Sequence, residues 1–169
     1  MIALGADEII RLLALAPHVE GGFYRQTFRA ADLPVPLPAR GVRAASTAIY
    51  YLLRQGDFSA FHRVRSDEVW HHYAGAPLEL HLLEPGGHTV LALGTELSRG
   101  ERPQAVVLAG VLQAARLAPD VSRRIEDFAL VGCTVAPGFD FADFAVPSRA
   151  ELLALFPSHR ALVEELTRA

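Results

Sequence analysis

The chain has 169 residues, 51% of them hydrophobic and 21% charged, with a formal net charge of −3 at pH 7. That is enough for one domain spanning 1–169 with a sizeable core, and the mixed charges form no basic stripe of the kind nucleic acid requires. No apolar run nears the ~18 residues that span a bilayer and the N-terminus lacks a basic leader region, so no membrane is expected as a partner and cytoplasm is the expected compartment.

Residues 6–15 read as a short helix, with Asp7 near its start and Pro17 beyond its end. Residues 22–29 alternate in the manner of a strand, and 31–41, with three prolines and a glycine, read as a loop. Strand-like runs follow at 46–54, 58–64, 68–73, 78–84, 88–93, 104–108, 112–118 and 127–136, separated by Arg-Gln-Gly, Ala-Gly-Ala-Pro, Glu-Pro-Gly-Gly and Ala-Pro-Gly. Short strands with such punctuation make a sandwich or barrel. Ser148-Arg-Ala-Glu151 is a capping box that opens a helix, Pro157 ends it, and Ser158 is placed to cap another reaching about 168. The expected order is thus an N-terminal helix within 1–16, a β-barrel over 22–146 and helices over 148–168.

Composition narrows the chemistry. There is no lysine, so Schiff-base catalysis is excluded and every fixed cation is an arginine. Cys133 is the lone cysteine, which rules out an intrachain disulfide and a cysteine-based zinc site. Val131 and Val135 around it suggest a buried strand, where a thiol acts as a small hydrophobe.

The densest cluster of chemistry lies between Gly56 and Gly75. On a strand alternate side chains share a face, so His62 and Val64 point the same way. After a turn at 65–67, Glu68, Trp70 and His72 share a face of the next strand. Paired as a hairpin, these strands bring His62, Glu68 and His72 toward one barrel interior. Imidazole and carboxylate donors suit divalent iron, manganese, nickel or zinc.

Gly56-x5-His62-x-Val64-x3-Glu68-x6-Gly75 resembles the first motif of the cupin superfamily, Gly-x5-His-x-His-x3–4-Glu-x6-Gly, with valine in place of the second histidine. Leu108-Ala-Gly110-Val-Leu-Gln113 stands where the second motif has Pro-x-Gly-x2-His, keeping the glycine and replacing the histidine by glutamine. The chain is also similar to a small cupin family of uncharacterised function, with yeast and bacterial members resembling plant storage proteins and sugar epimerases. That similarity runs through Pro17-His-Val-Glu-Gly-Gly-Phe-Tyr-Arg-Gln-Thr27, Ser46-Thr-Ala-Ile-Tyr-Tyr-Leu52, Phe61-His-Arg-Val-Arg-Ser-Asp-Glu-Val-Trp70 and Gly132-Cys-Thr-Val-Ala-Pro-Gly-Phe139. It implies an all-β, double-stranded β-helix (a cupin or jelly-roll barrel) with short terminal helices, a homodimer, and a small-molecule ligand.

Three functions follow. A metal-independent isomerase or epimerase of a carbohydrate-type substrate would use His62 or His72 as base, an inward tyrosine as acid and Arg25 as anchor, a role that suits a histidine pKa near neutrality. A metal-dependent cupin enzyme would hold a divalent ion with His62, Glu68 and His72 or Gln113, although a catalytic metal ordinarily keeps three protein ligands. A non-catalytic binder or sensor would keep the barrel as a cup, with His62, Glu68 and Gln113 a vestigial metal site. Arg25 offers a bidentate fork to an anion or carbonyl or pairs with Glu20. Trp70 and Tyr50 wall the ligand pocket or pack in the core. Glu79 and His81 are expected on a solvated face and His71 at the surface. His18, His88 and His159 carry no signal. Asp140 and Asp143 read as turn and capping groups.

Overall fold

A computed structural model describes residues 4–30, 33–119 and 127–168. Helix α1 (Ala6–Leu12) comes first. The strands are β1 (Ala16–Pro17), β2 (Phe23–Arg29), β3 (Pro34–Leu37), β4 (Gly41–Ala44), β5 (Thr47–Arg54), β6 (Phe58–Val64), β7 (Asp67–Gly75), β8 (Leu78–Glu84), β9 (Gly87–Leu93), β10 (Gln104–Val107), β11 (Leu112–Leu117), β12 (Phe128–Ala136) and β13 (Phe144–Ala145). Helices α2 (Arg149–Leu155) and α3 (Arg160–Glu165) close the chain.

Two antiparallel sheets face each other as a jelly-roll barrel, ordered β1-β2-β5-β12-β7-β10 and β13-β6-β11-β8-β9. Period-two alternation sends Tyr51, Leu53, Trp70, Leu78, Leu80, Val131 and Cys133 into the shared interior, where they form the main core. The outer face of the five-stranded sheet is covered as well. Phe61, Leu83, Leu112 and Ala114 pack there against Leu152, Val163 and Leu166 of the C-terminal helical segment. Leu152 is wholly buried, and its truncation to alanine would cost about 3 kcal/mol. At the other sheet α1 places Ile9 on Leu52 and Phe128.

The capping box forms as expected: the Glu151 N–H donates to Ser148 Oγ, and the Ser148 N–H donates to the Glu151 carboxylate at 2.7 Å. Three expectations are corrected. Part of the expected loop at 31–41 is a hairpin, β3 with β4, whose prolines are tolerated because the ribbon has no further neighbour; residues 31 and 32 lie outside the described residues. Ser158 caps nothing, because a 3-10 turn at Pro157–His159 runs straight into α3. His81 is not on a solvated face. It is buried, 3.0 Å from His88, whose ring is in contact with that of His159 at the junction of the C-terminal helices.

Candidate functional site

The barrel opens at one end into a cavity of about 260 Å³. Its histidines and carboxylates come from three stretches of chain: His18 and Glu20 before β2, His62 on β6, and Glu68 on β7. Tyr51 and Cys133 complete one wall, and Tyr24, Phe139, Phe141 and Phe144 line it with rings.

Backbone geometry places these groups. Gly21 and Gly22 both take positive φ, which turns the chain sharply after Glu20. A Cβ on Gly21 would lie 2.1 Å from the Phe58 carbonyl oxygen, so this crossing onto β6 needs glycine. On β6 the register against β11 slips: Gln113 pairs with His62, but Ala115 pairs with Ser59. The extra residue is a β-bulge, and it turns both Ser59 and His62 toward Glu20. The Ser59 hydroxyl donates to Glu20 Oε1 at 2.9 Å, while Glu20 Oε2 lies 3.4 Å from His62 Nδ1 and 3.5 Å from His18 Nδ1.

The hydrogen bonds fix the ring states. His62 Nδ1 lies 2.8 Å from the Ala60 carbonyl oxygen, which must accept a proton, so Nδ1 carries the hydrogen and Nε2 is the basic nitrogen. The Glu20 backbone N–H donates to His18 Nδ1, which puts the His18 proton on Nε2. Burial lowers the pKa of both histidines and outweighs the opposing pull of Glu68 on His62 and of Glu20 on His18. Burial likewise raises the pKa of Glu20 and of Glu68, against the opposing effects of His18 and His62. Neutral bases and reluctant carboxylates therefore share one cavity, an arrangement suited to proton transfer.

Of the residues proposed from sequence as catalytic, ligand-binding or metal-holding, His62 and Glu68 line the cavity, and His72, Arg25, Tyr50, Trp70 and Gln113 do not. Gln113 lies beneath it: its Oε1 accepts from Trp70 Nε1 at 2.9 Å and its Nε2 donates to Glu68 Oε2 at 2.5 Å. Trp70 is thus floor rather than wall. His72 shares the interior face with Glu68 but sits four residues on, about 13 Å along the strand, where Nε2 bonds the Ala76 carbonyl. Parity gave its face and not its depth. Tyr50 lies on the outer face with Tyr73 and the guanidinium of Arg25, which is exposed. The inward tyrosine is its neighbour Tyr51, whose hydroxyl donates to the Gly21 carbonyl at 2.7 Å. The sequence leaves open which tyrosine faces inward; His18 and Glu20 were the residues missed. Their signal was two consecutive glycines directly after a histidine and a carboxylate.

The donors do not fit a cupin-type metal. Val64 puts methyl groups at the wall where a second imidazole would stand. The carboxamide of Gln113 is spent on Trp70 and Glu68, and His62 turns its protonated nitrogen toward Glu20. Among the described residues no group of three or more His, Cys, Asp or Glu side chains is arranged to hold a metal ion.

The mouth is a short 3-10 segment, Phe141–Asp143. Asp140 caps it by accepting from the Ala142 N–H at 2.9 Å. Asp143 is buried, and its Oδ2 accepts from Arg43 Nε at 2.7 Å and from Arg40 at 2.8 Å. Phe139, Phe141 and Phe144 meet one another edge-to-face around this turn. Among the described residues no helix is long and apolar enough to cross a membrane.

The sequence profile of a family described as "Cupin superfamily (DUF985)" matches residues 7–147. A hypothetical protein from Leishmania major shares 32% identity and superimposes with a TM-score of 0.92, over 98% of this chain and 100% of that one. A protein from Shewanella oneidensis shares 40% identity with a TM-score of 0.86, over 98% and 99%. Oxalate decarboxylase from Bacillus subtilis shares the fold at 12% identity, with a TM-score of 0.55 over 89% of this chain and 36% of that one. No curated protein matches the chain.

Proposed function

Because the chain belongs to the DUF985 family of the cupin superfamily, we propose that it binds a small molecule in the barrel cavity and isomerises or epimerises it by metal-independent proton transfer. The observation that carries this reading is His62, buried and oriented, with its basic Nε2 in a cavity that also contains two carboxylates. His62 Nε2 takes a proton from the carbon next to a carbonyl. The electron pair of that C–H bond becomes the C=C bond of an enol, as the carbonyl oxygen takes a proton from Glu68. Burial favours the protonated Glu68 needed for that donation. Return of the proton to the same face, with Glu68 recovering its own as the carbonyl re-forms, gives exchange; delivery to the opposite face of the enol, or to the neighbouring carbon of an enediol, gives the epimer or the isomer. Such general acid–base help is worth about 10²–10⁴-fold in rate. Glu20 and the Ala60 carbonyl hold the His62 ring in the working tautomer.

The test is exchange of substrate α-protons with deuterated solvent, followed by NMR over a panel of small hydroxy and amino carbonyl compounds. Exchange by the parent protein that falls about 10³-fold in His62→Gln supports the reading. Ligands that bind and are recovered with no exchange sink it, and leave a binding or sensor protein. The homodimer that the family resemblance implies is part of this proposal; sedimentation equilibrium that returns a single-chain mass overturns it.

A further inference from the structure

Among the described residues the cavity is charged in one sense only: two carboxylates line it, Glu20 and Glu68, and no arginine does; the chain has no lysine to offer instead. The nearest guanidiniums are turned elsewhere. Arg168 lies behind Glu20, bonded to its backbone carbonyl at 3.2 Å and stacked over Phe58. Arg40 and Arg43 are held by Asp143 behind the mouth. An anionic ligand entering here would lose its hydration with no fixed cation to replace it, which is costly.

The rest of the lining adds to this. Phe139, Phe141 and Phe144 cross one another at 63–86°, with ring centroids 5.1–6.1 Å apart, so ring faces as well as edges turn toward the mouth. Tyr24 meets His18 edge-on at 4.5 Å. Aromatic faces attract a cation through their quadrupole, the more so where water is excluded. Glu20 touches His18 and His62, and those imidazoles meet Phe141 and Phe144, so the carboxylate and the rings lie close enough to be two halves of one site for an ammonium group. The volume, about 260 Å³, equals roughly eight or nine waters and suits one small ring.

We infer that the ligand of this cavity is a small amine-bearing molecule with an apolar body, its ammonium group paired with Glu20 and enclosed by the Phe139–Phe144 rings, and that phosphorylated or nucleotide-linked molecules are rejected. The inference rests on the cavity being the ligand site and names its substrate class.

Three probes of one shape and different charge test it: benzylamine, benzyl alcohol and benzoate, titrated calorimetrically into the full chain at pH 7. Benzylamine binds tightest, benzyl alcohol more weakly, and benzoate not at all. Glu20→Gln weakens benzylamine at least tenfold, about 1.4 kcal/mol, and leaves benzyl alcohol unchanged. Phe141 is more than half exposed, so Phe141→Ala is a second variant that should not disturb folding; it weakens the amine more than the alcohol. Benzoate binding as tightly as benzylamine overturns the inference, and so does equal binding of all three, no binding of any, or an amine affinity that neither substitution changes. Amine binding without proton exchange in any amine-bearing carbonyl compound sinks the isomerase reading and leaves this one standing. Exchange on a phosphorylated substrate does the reverse.

Discussion

Glu20 Oε2 sits 3.4 Å from Nδ1 of His62, the side of the ring away from the basic nitrogen. The carboxylate therefore steadies the imidazole without competing for the proton that Nε2 would take. Replacing it by glutamine keeps the shape and removes the charge. We expect Glu20→Gln to slow substrate proton exchange about 10²-fold. His18 gives a readout free of substrate: Glu20 opposes the downward shift that burial imposes on it, so the His18 resonance should titrate at a lower pH in the variant. An unchanged His18 titration and undiminished exchange would remove Glu20 from the site.

The mouth has its own fastening. Asp143 gathers Arg40 from the β3–β4 hairpin turn and Arg43 from β4, and their hydrogen bonds hold its pKa down to about 2. Asp143→Asn strips a charge from two guanidiniums that are nearly as buried as the carboxylate. The cost should be about 3 kcal/mol, the low end for a broken buried pair because both arginines reach some solvent. Loosening the turn also loosens Phe141 and Phe144, so ligand affinity falls together with stability. A melting temperature within error of the parent, with unchanged affinity, would show that the turn holds without this latch.

What the sequence revealed and what it hid divide along physical lines. Local rules were readable: β5, β8 and β12 from apolar content between turn signals, and α2 from its capping box. Relations between distant segments were not. The bulge on β6 breaks strict alternation and turns Ser59 and His62 to one side, which parity forbids. Tyr50 and Tyr51 are adjacent on a strand covered on both faces, by the barrel core and partly by α1, so apolar content alone does not say which points in. Glu20 and His18 reach the cavity only through the crossing at Gly21. The Gly56–Gly75 motif located His62 and Glu68 correctly, because a single hairpin carries both. It said nothing of His18 and Glu20, the groups that make the polar cluster something other than a metal site with a gap.

Gln113 stands at the motif position where a metal-binding histidine would be, and it joins the floor to the wall. It accepts from Trp70 and donates to Glu68. Gln113→Leu leaves the buried Trp70 Nε1 without an acceptor and takes one donor from Glu68, at a cost of about 2 kcal/mol. The lost donor had favoured ionised Glu68, so its carboxyl should rise further, and the alkaline fall of exchange, where the acid is lost, should move to higher pH. Trp70 is the chain's one tryptophan, so intrinsic fluorescence reports this floor alone. A parent-like spectrum and melting temperature would mean the bridge carries no energy.

His81 supplies the clearest acid response. Burial under the C-terminal helices, with Arg116 nearby, lowers its pKa from 6.5 to about 4, against the pull of Glu79. Between those values the unfolded chain binds a proton that the folded chain refuses, so stability rises with pH there. The contribution is fully present above pH 6.5 and is lost as pH falls to about 4. His18, His62 and His88 are shifted in the same direction, while the raised carboxyls of Glu20 and Glu68 act oppositely. The parent curve is therefore a sum, and the difference between parent and variant isolates the one group. His81→Gln cannot take up the proton, so its melting temperature should fall less than the parent's between pH 6.5 and 4 and should run parallel above that range. Parallel curves throughout would mean that His81 ionises in the folded protein as readily as in the unfolded chain.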